Sequence, residues 1–137
     1  MGTHYRGTPT EVRALNAYIT LMRCALSVGA RLERPLARKG LTENQFGVLE
    51  TLLHLGPLPQ YELGAKLFTS RPNVTLVVKQ LEARGLVERR RSGEDARCVI
   101  VSLTPAGRRF IERLFPEQLA AIVEEFGVLT PEEQEEL

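Results

Sequence analysis

A chain of 137 residues, 43% hydrophobic and 26% charged, is the size of one domain able to bury a core of its own. Cys24 and Cys98 are too few and too far apart for a disulfide framework or a metal knuckle, and no apolar run approaches a membrane span, which excludes the small secreted scaffold and the membrane protein. The net charge of +1 conceals an asymmetry, because residues 117–137 hold seven Glu and no Lys or Arg and so leave everything before them at +8. A basic body suits a binder of duplex nucleic acid, whose phosphates release counterions on neutralisation. The acidic end either keeps that part of the chain off DNA or is only a solvated face. Met1 to Thr10 is polar, without the apolar stretch of a secretory leader, so a cytoplasmic location is expected, with both thiols reduced and packed.

The first helix is expected over 10–34. Val12, Leu15, Ile19, Met22 and Leu26 form one stripe at helical spacing, and Tyr18, Leu21, Ala25, Val28 and Leu32 form a second beside it. An arc that wide needs more than one packing partner. A short helix opens at Gln60 and Tyr61 and ends near Phe68. Between Ser70 and Gly85, Val74, Val77, Val78 and Leu81 recur at i, i+3, i+4 and i+7 and predict one buried stripe on a helix of about four turns. Ser70 can cap its amino end, Pro72 is tolerated in its first turn, and Gly85 supplies the left-handed residue that ends it. Strands follow at Val87 to Arg91 and Val99 to Leu103, joined by the polar turn Ser92 to Arg97. Thr104 and Pro105 start another helix, along which Phe110, Ile111, Leu114, Phe115, Leu119, Ile122, Val123 and Phe126 form an apolar band. Pro116 should bend or interrupt it. Last, Thr130, Pro131 and Glu133 announce a short helix with a capping box.

The fold class expected is mainly α with a small β-hairpin wing: a winged helix-turn-helix lobe at 36–107, flanked by dimerisation helices at 10–34 and 105–137 within one domain, 1–137. The excess apolar surface at both ends is buried most simply when terminal helices of two chains interleave around a twofold axis. The alternative is that both bands pack within one chain.

The polar face of the Ser70–Gly85 helix is the candidate DNA-reading surface. Arg71 and Asn73 suit base edges, since Arg pairs bidentately with guanine and Asn with adenine. Ser70 and Pro72 accompany them at the leading end, and Thr75 and Lys79 suit phosphates or thymine methyls. Leu76, on the same face, either touches a thymine methyl or turns inward. Gln60 and Tyr61 are candidates for backbone contacts. In the hairpin, Arg90, Arg91 and Arg97 lie near Glu94 and Asp95 and can reach phosphates or the minor groove, because the guanidinium is forked, charged and weakly hydrated.

These residues resemble the MarR (multiple antibiotic resistance regulator) family of bacterial winged-helix transcription factors. The similarity rests on Val74 and Thr75 in the recognition helix, the Leu-x-x-x-Gly-Leu-Val turn at Leu81 to Val87, the Asp-x-Arg wing at Asp95 to Arg97, and the Leu-Thr-x-x-Gly helix start at Leu103 to Gly107. LTENQFGVLETL, Leu41 to Leu52, is similar to the family's second helix, and the match spans roughly Ala14 to Phe126. The resemblance implies a twofold dimer, two recognition helices in successive major grooves about 34 Å apart, an inverted-repeat site, and repression. It also implies that Asp95 orients the wing by pairing with an Arg while Arg97 or a neighbour enters the minor groove. Two departures stand out. Pro59 occupies the place of a capping Ser or Thr, and the final helix is shorter than the family's usual one.

The family commonly binds small aromatic or amphipathic acids between its dimer helices and its DNA-binding lobe. By position, Arg13, Tyr18, Met22, His54 and Arg108 could lie near such a cleft, although Tyr18 and Met22 also suit a dimer core and His54 a satisfied helix end. The family's reactive cysteine would fall near Tyr18 rather than Cys24, and its zinc-binding His pair is replaced by Arg108 and Glu112, so no metal or other cofactor is expected. No phosphate loop, GxSxG turn, HExxH or nucleophile–His–acid set points to an enzyme. The rival to DNA binding is a winged helix used for protein contact alone.

Overall fold

The computed structural model describes residues 2–67, 71–93 and 97–137, with Arg71 and Pro72 by their backbone. The elements run α1 (Pro9–Arg38), α2 (Glu43–Leu55), β1 (Leu58–Pro59), α3 (Gln60–Lys66), α4 (Arg71–Ala83), β2 (Val87–Arg91), β3 (Val99–Leu103), α5 (Pro105–Phe126) and α6 (Pro131–Glu136). Mainly α with a small hairpin, as the sequence predicts, it carries one strand that prediction lacks. The sheet is antiparallel in the order β1-β3-β2, with Leu58 opposite Val101 and Val87 opposite Leu103. β1 is too short for periodicity to reveal and exists through its pairing with β3.

Hydrophobic burial organises the lobe. Val74, Val77, Val78 and Leu81 are all buried, packed with Val48, Leu49 and Leu52 of α2, Leu63 of α3, Val87 and Val101 of the sheet and Ile111 and Leu114 of α5. Each such side chain contributes about 2 kcal/mol on removal from water, so this stripe rather than helix propensity holds α4 in place.

The end of α4 and the start of α5 are stitched together. Gly85, at φ +72°, takes the left-handed position after the helix, where the Gly85 and Leu86 amides donate to the carbonyls of Glu82 and Leu81. The Thr104 amide donates to the Leu86 carbonyl at 3.1 Å. Its hydroxyl donates to the Gly85 carbonyl at 2.6 Å and accepts from the Gly107 amide at 3.0 Å, capping α5. The boxes at Thr8–Glu11, Thr42–Gln45 and Thr130–Glu133 cap α1, α2 and α6 in the same reciprocal way.

Both long helices outrun their prolines. α5 continues through Pro116, so that of the expected bend or interruption the interruption does not occur, and α1 continues through Pro35 to Arg38, past the boundary expected at residue 34. A proline removes one helical hydrogen bond, whereas the flanking Leu36, Ile111, Leu114 and Gln118 are buried and hold the two helices against the body. Gln118 donates to the Leu32 carbonyl at 2.9 Å, Arg31 pairs with Glu125, and Lys39 faces Glu117 at 3.8 Å.

The remainder of α1 is largely uncovered. Leu21 is 63% and Leu26 70% exposed, with Tyr18 and Met22 beside them and Leu119 and Val123 exposed on α5. Cys24 lies exposed on this stretch and Cys98 is half-buried, so the packing expected for both thiols fails for Cys24, where the chain's own core leaves α1 without cover. No helix among the described residues is long and apolar enough to cross a membrane.

Candidate nucleic-acid interface

With its apolar stripe turned inward, α4 directs Asn73, Leu76 and Lys79 to solvent. Leu76 is 55% exposed, which resolves its orientation outward and leaves an apolar side chain on a polar face, suited to a methyl group. Thr75 is half-buried at the edge of this face. The Gln60 side-chain amide donates to its hydroxyl at 3.0 Å, tying the start of α3 to α4. Gln60, expected as a direct backbone contact, thus uses one of its two amide hydrogens inside the protein, and its carbonyl oxygen Oε1 is buried without a hydrogen-bond partner. Tyr61, one residue on, is exposed. Gln60, Tyr61, Thr75 and Arg97 line a single groove between α3, α4 and the hairpin, so residues far apart in sequence converge on one surface. α3 starts at Gln60 behind Pro59 without a side-chain cap, as the missing Ser or Thr implies.

Ser70 and Asp95 lie outside the described residues, as do the side chains of Arg71 and Pro72, so the expected cap, base contact and wing ion pair that use them are not described. The flanks of the hairpin are. Arg90, Arg91 and Arg97 are exposed, and the Ser92 amide donates to the Cys98 carbonyl at 2.8 Å, closing the ladder beyond Arg91 and Val99. Arg90 lies 3.4 Å from Glu88 on the same strand face.

The sequence reading missed a link between helix and wing. Arg89 donates to Glu82 Oε1 through Nη2 at 2.9 Å and through Nε at 3.2 Å, joining β2 to the last turn of α4. This hydrogen bond from the guanidinium holds the Glu82 carboxyl below its ordinary value, with the charges of Arg89 and Lys79 adding to it. The signal was present as a Glu and an Arg bracketing the Gly85 turn. On the far side of α4, the Gln45 amide donates to Gln80 at 3.2 Å.

The five residues proposed for an effector cleft do not bond to one another. Arg13, Tyr18 and Met22 lie on the uncovered part of α1. His54 Nδ1 approaches the Glu50 carbonyl at 2.9 Å, and its ring meets that of Phe115 edge-on at 4.7 Å. Arg108 is 3.7 Å from Glu112. Among the described residues no three His, Cys, Asp or Glu side chains gather as metal ligands.

Comparison with known proteins agrees with this geometry. The MarR family model matches residues 41–99. The HTH-type transcriptional regulator MhqR of Bacillus subtilis is 32% identical over 123 residues, covering 90% of this chain and 85% of that protein. The crystal structure of Sco3205, a MarR family regulator from Streptomyces coelicolor in complex with DNA, superposes with a TM-score of 0.85 at 26% identity, over 97% of this chain and 84% of that one. BpsR of Bordetella bronchiseptica, whose DNA binding is regulated by 6-hydroxynicotinic acid, superposes with a TM-score of 0.77 at 28% identity, over 86% and 89% of the two chains. MhqR and Sco3205 are transcriptional regulators rather than enzymes. The buried stripe, the outward polar face, the arginine-bearing hairpin and the match across nearly the whole chain lead to one conclusion: the chain belongs to the MarR family of DNA-binding winged-helix transcriptional regulators.

Proposed function

We propose that this protein acts in the cytoplasm as a homodimeric repressor that reads an inverted repeat and is released by a small aromatic or amphipathic acid. The lobe at 36–107 reads DNA, and the helices at 10–34 and 105–137 hold two copies together. The observation that carries the reading is the surface of α4, where four apolar residues are buried while Asn73, Leu76 and Lys79 face outward beside an arginine hairpin. Arg71 and Asn73 supply base readout, Thr75 and Lys79 phosphate or methyl contacts, and Tyr61 a backbone contact. Arg90, Arg91 and Arg97 take the flanking phosphates or minor groove, with Asp95 orienting the tip.

The dimer is supported by apolar surface that one chain leaves uncovered: Tyr18, Leu21, Met22 and Leu26 of α1 with Leu119 and Val123 of α5. Two copies joined there bring two α4 helices to successive major grooves about 34 Å apart. A dimer over a promoter blocks polymerase without any further contact, so repression is the simpler outcome. Release by an acid draws on the relative regulated by 6-hydroxynicotinic acid, with Arg13, Tyr18, Met22, His54 and Arg108 as the residues to test.

Genomic fragments selected by the purified protein, followed by footprinting and light scattering, test the reading. The expected result is a dimer protecting an inverted repeat whose half-site centres lie about 10 base pairs apart, with affinity falling steeply with salt. A protein with no salt-sensitive affinity for duplex DNA overturns it in favour of protein contact. A screen of aromatic acids against the bound fragment then tests release.

A further inference from the structure

The wing of this fold carries three consecutive arginines, Arg89, Arg90 and Arg91, and the structure treats them differently. Arg90 and Arg91 are exposed, whereas Arg89 is half-buried and donates twice to Glu82. β2 alternates faces, so Arg89 shares the face of the buried Val87 and looks toward α4 rather than outward. At its base the hairpin is fixed to α4 by the Gly85 turn and by Leu86 and Val87, both buried. Arg89 is two residues farther out, opposite the buried Val101 and at the level where β1 pairs with β3, before the strand continues through Arg90 and Arg91 toward the tip. A contact there, together with the pairing of β1 to β3, is placed to bear on the pitch of the hairpin, because a small rotation at Arg89 is amplified along the strands beyond it.

An ion pair exposed to this degree contributes only about 0 to 1 kcal/mol to folding, so stability is a poor account of it. Its cost to DNA binding is also plain: Glu82 places a carboxylate on the element that faces phosphates, one turn from Lys79. A negative charge there weakens every encounter with DNA unless its geometry returns something.

We propose that Glu82 and Arg89 are positioning residues, a clasp that sets the angle of the wing against the recognition helix so that base contacts and hairpin contacts are made together on the specific site, with Arg89 given to the clasp rather than to phosphate. The inference rests on the DNA-reading function proposed above and adds the device that couples its two halves.

The test measures affinities of the full-length wild type, Glu82→Gln, Arg89→Met and the exchanged pair Glu82→Arg with Arg89→Glu, each on the selected site and on a random duplex over a range of salt. Melting curves serve as the control for folding. The clasp predicts that Glu82→Gln and Arg89→Met lower the preference for the specific site by about tenfold, while random-duplex affinity is kept or, for Glu82→Gln, raised by the lost negative charge. The exchanged pair regains most of the preference. A bystander Glu82 would instead give tighter binding to both duplexes in equal measure, and a phosphate-contacting Arg89 would weaken both and lower the salt slope by about one. Either result overturns the clasp. A wild type without preference for any site overturns the DNA-reading function itself, whereas a discriminating wild type beside equally discriminating variants removes the clasp alone.

Discussion

Gly107 lies so close to Leu86 that a β-carbon built on it would fall 1.8 Å from the Leu86 carbonyl oxygen. That oxygen cannot retreat easily, because it accepts from the Thr104 amide that begins the cap of α5. Gly107→Ala should therefore destabilise the fold by about 3 kcal/mol, in the upper range for overpacking. Gly93→Ala, with nothing within 4 Å of the added carbon, should stay within about 0.5 kcal/mol of wild type. Urea denaturation midpoints of the two variants decide the matter, and equal midpoints would contradict the close approach.

Replacing residues on the outer face of α4 should affect binding and spare folding. Lys79→Ala is expected to weaken all duplexes alike and reduce the salt slope by about one, while Asn73→Ala should cost about 1 to 3 kcal/mol and relax preference at one base position. Fluorescence anisotropy on single-base variants of the selected site separates the two patterns.

The exposed leucines of α1 offer a direct probe of assembly. Leu21→Glu together with Leu26→Glu removes no contact of the single chain's core, so the lobe should keep its melting behaviour. Light scattering should report a monomer, and affinity for the inverted repeat should fall toward that of a half-site, by about a hundredfold or more. A double variant that remains dimeric would place the interface elsewhere.

Acid should loosen the structure from a defined direction. The Thr8 amide and hydroxyl hold Glu11, Arg89 holds Glu82 and Arg31 holds Glu125 below the ordinary glutamate value of 4.5. Each group binds its proton less readily folded than unfolded. Its stabilising effect is therefore complete above 4.5 and is lost as pH falls through the lowered value. Glu125→Gln and Glu82→Gln should each flatten the acid limb of a stability–pH curve, as followed by denaturant midpoints between neutral pH and about pH 3.

The sequence exposed those features that residue type and spacing dictate locally. β3 was legible as the β-branched run Val99, Ile100 and Val101, β2 because the Gly85 turn and a charged turn frame Val87 to Arg91, and the buried face of α4 followed from Val74, Val77, Val78 and Leu81. Pairings made across the chain were not legible. β1 depends on β3 more than forty residues away, and the Gln60–Thr75 hydrogen bond and the Glu82–Arg89 clasp depend on how elements cross. At Pro116 a local rule allowed a bend or a break, and there is no break, because the burial of Ile111, Leu114 and Gln118 around it outweighs the one hydrogen bond lost. Of the surface expected to read DNA, Asn73 and Lys79 are displayed as their positions suggested, Leu76, for which the sequence left two orientations open, points outward, and Thr75 is half-buried with an internal partner.

The run of glutamates at the far end of the chain has a kinetic consequence. Those carboxylates begin at Glu117 and continue through α6, and the 22-residue α5 puts about 33 Å between its start beside the hairpin and the turn that leads into α6. With Arg89, Arg90, Arg91 and Arg97 on the hairpin and seven glutamates without a Lys or Arg over residues 117–137, the two ends of α5 differ in charge, even though Arg31 of α1 pairs with Glu125. The field around a polyanion exerts a torque on such a body during diffusion, turning its arginine pole forward before contact. Collisions then occur preferentially in a productive orientation, a gain in association rate that added electrolyte progressively erases.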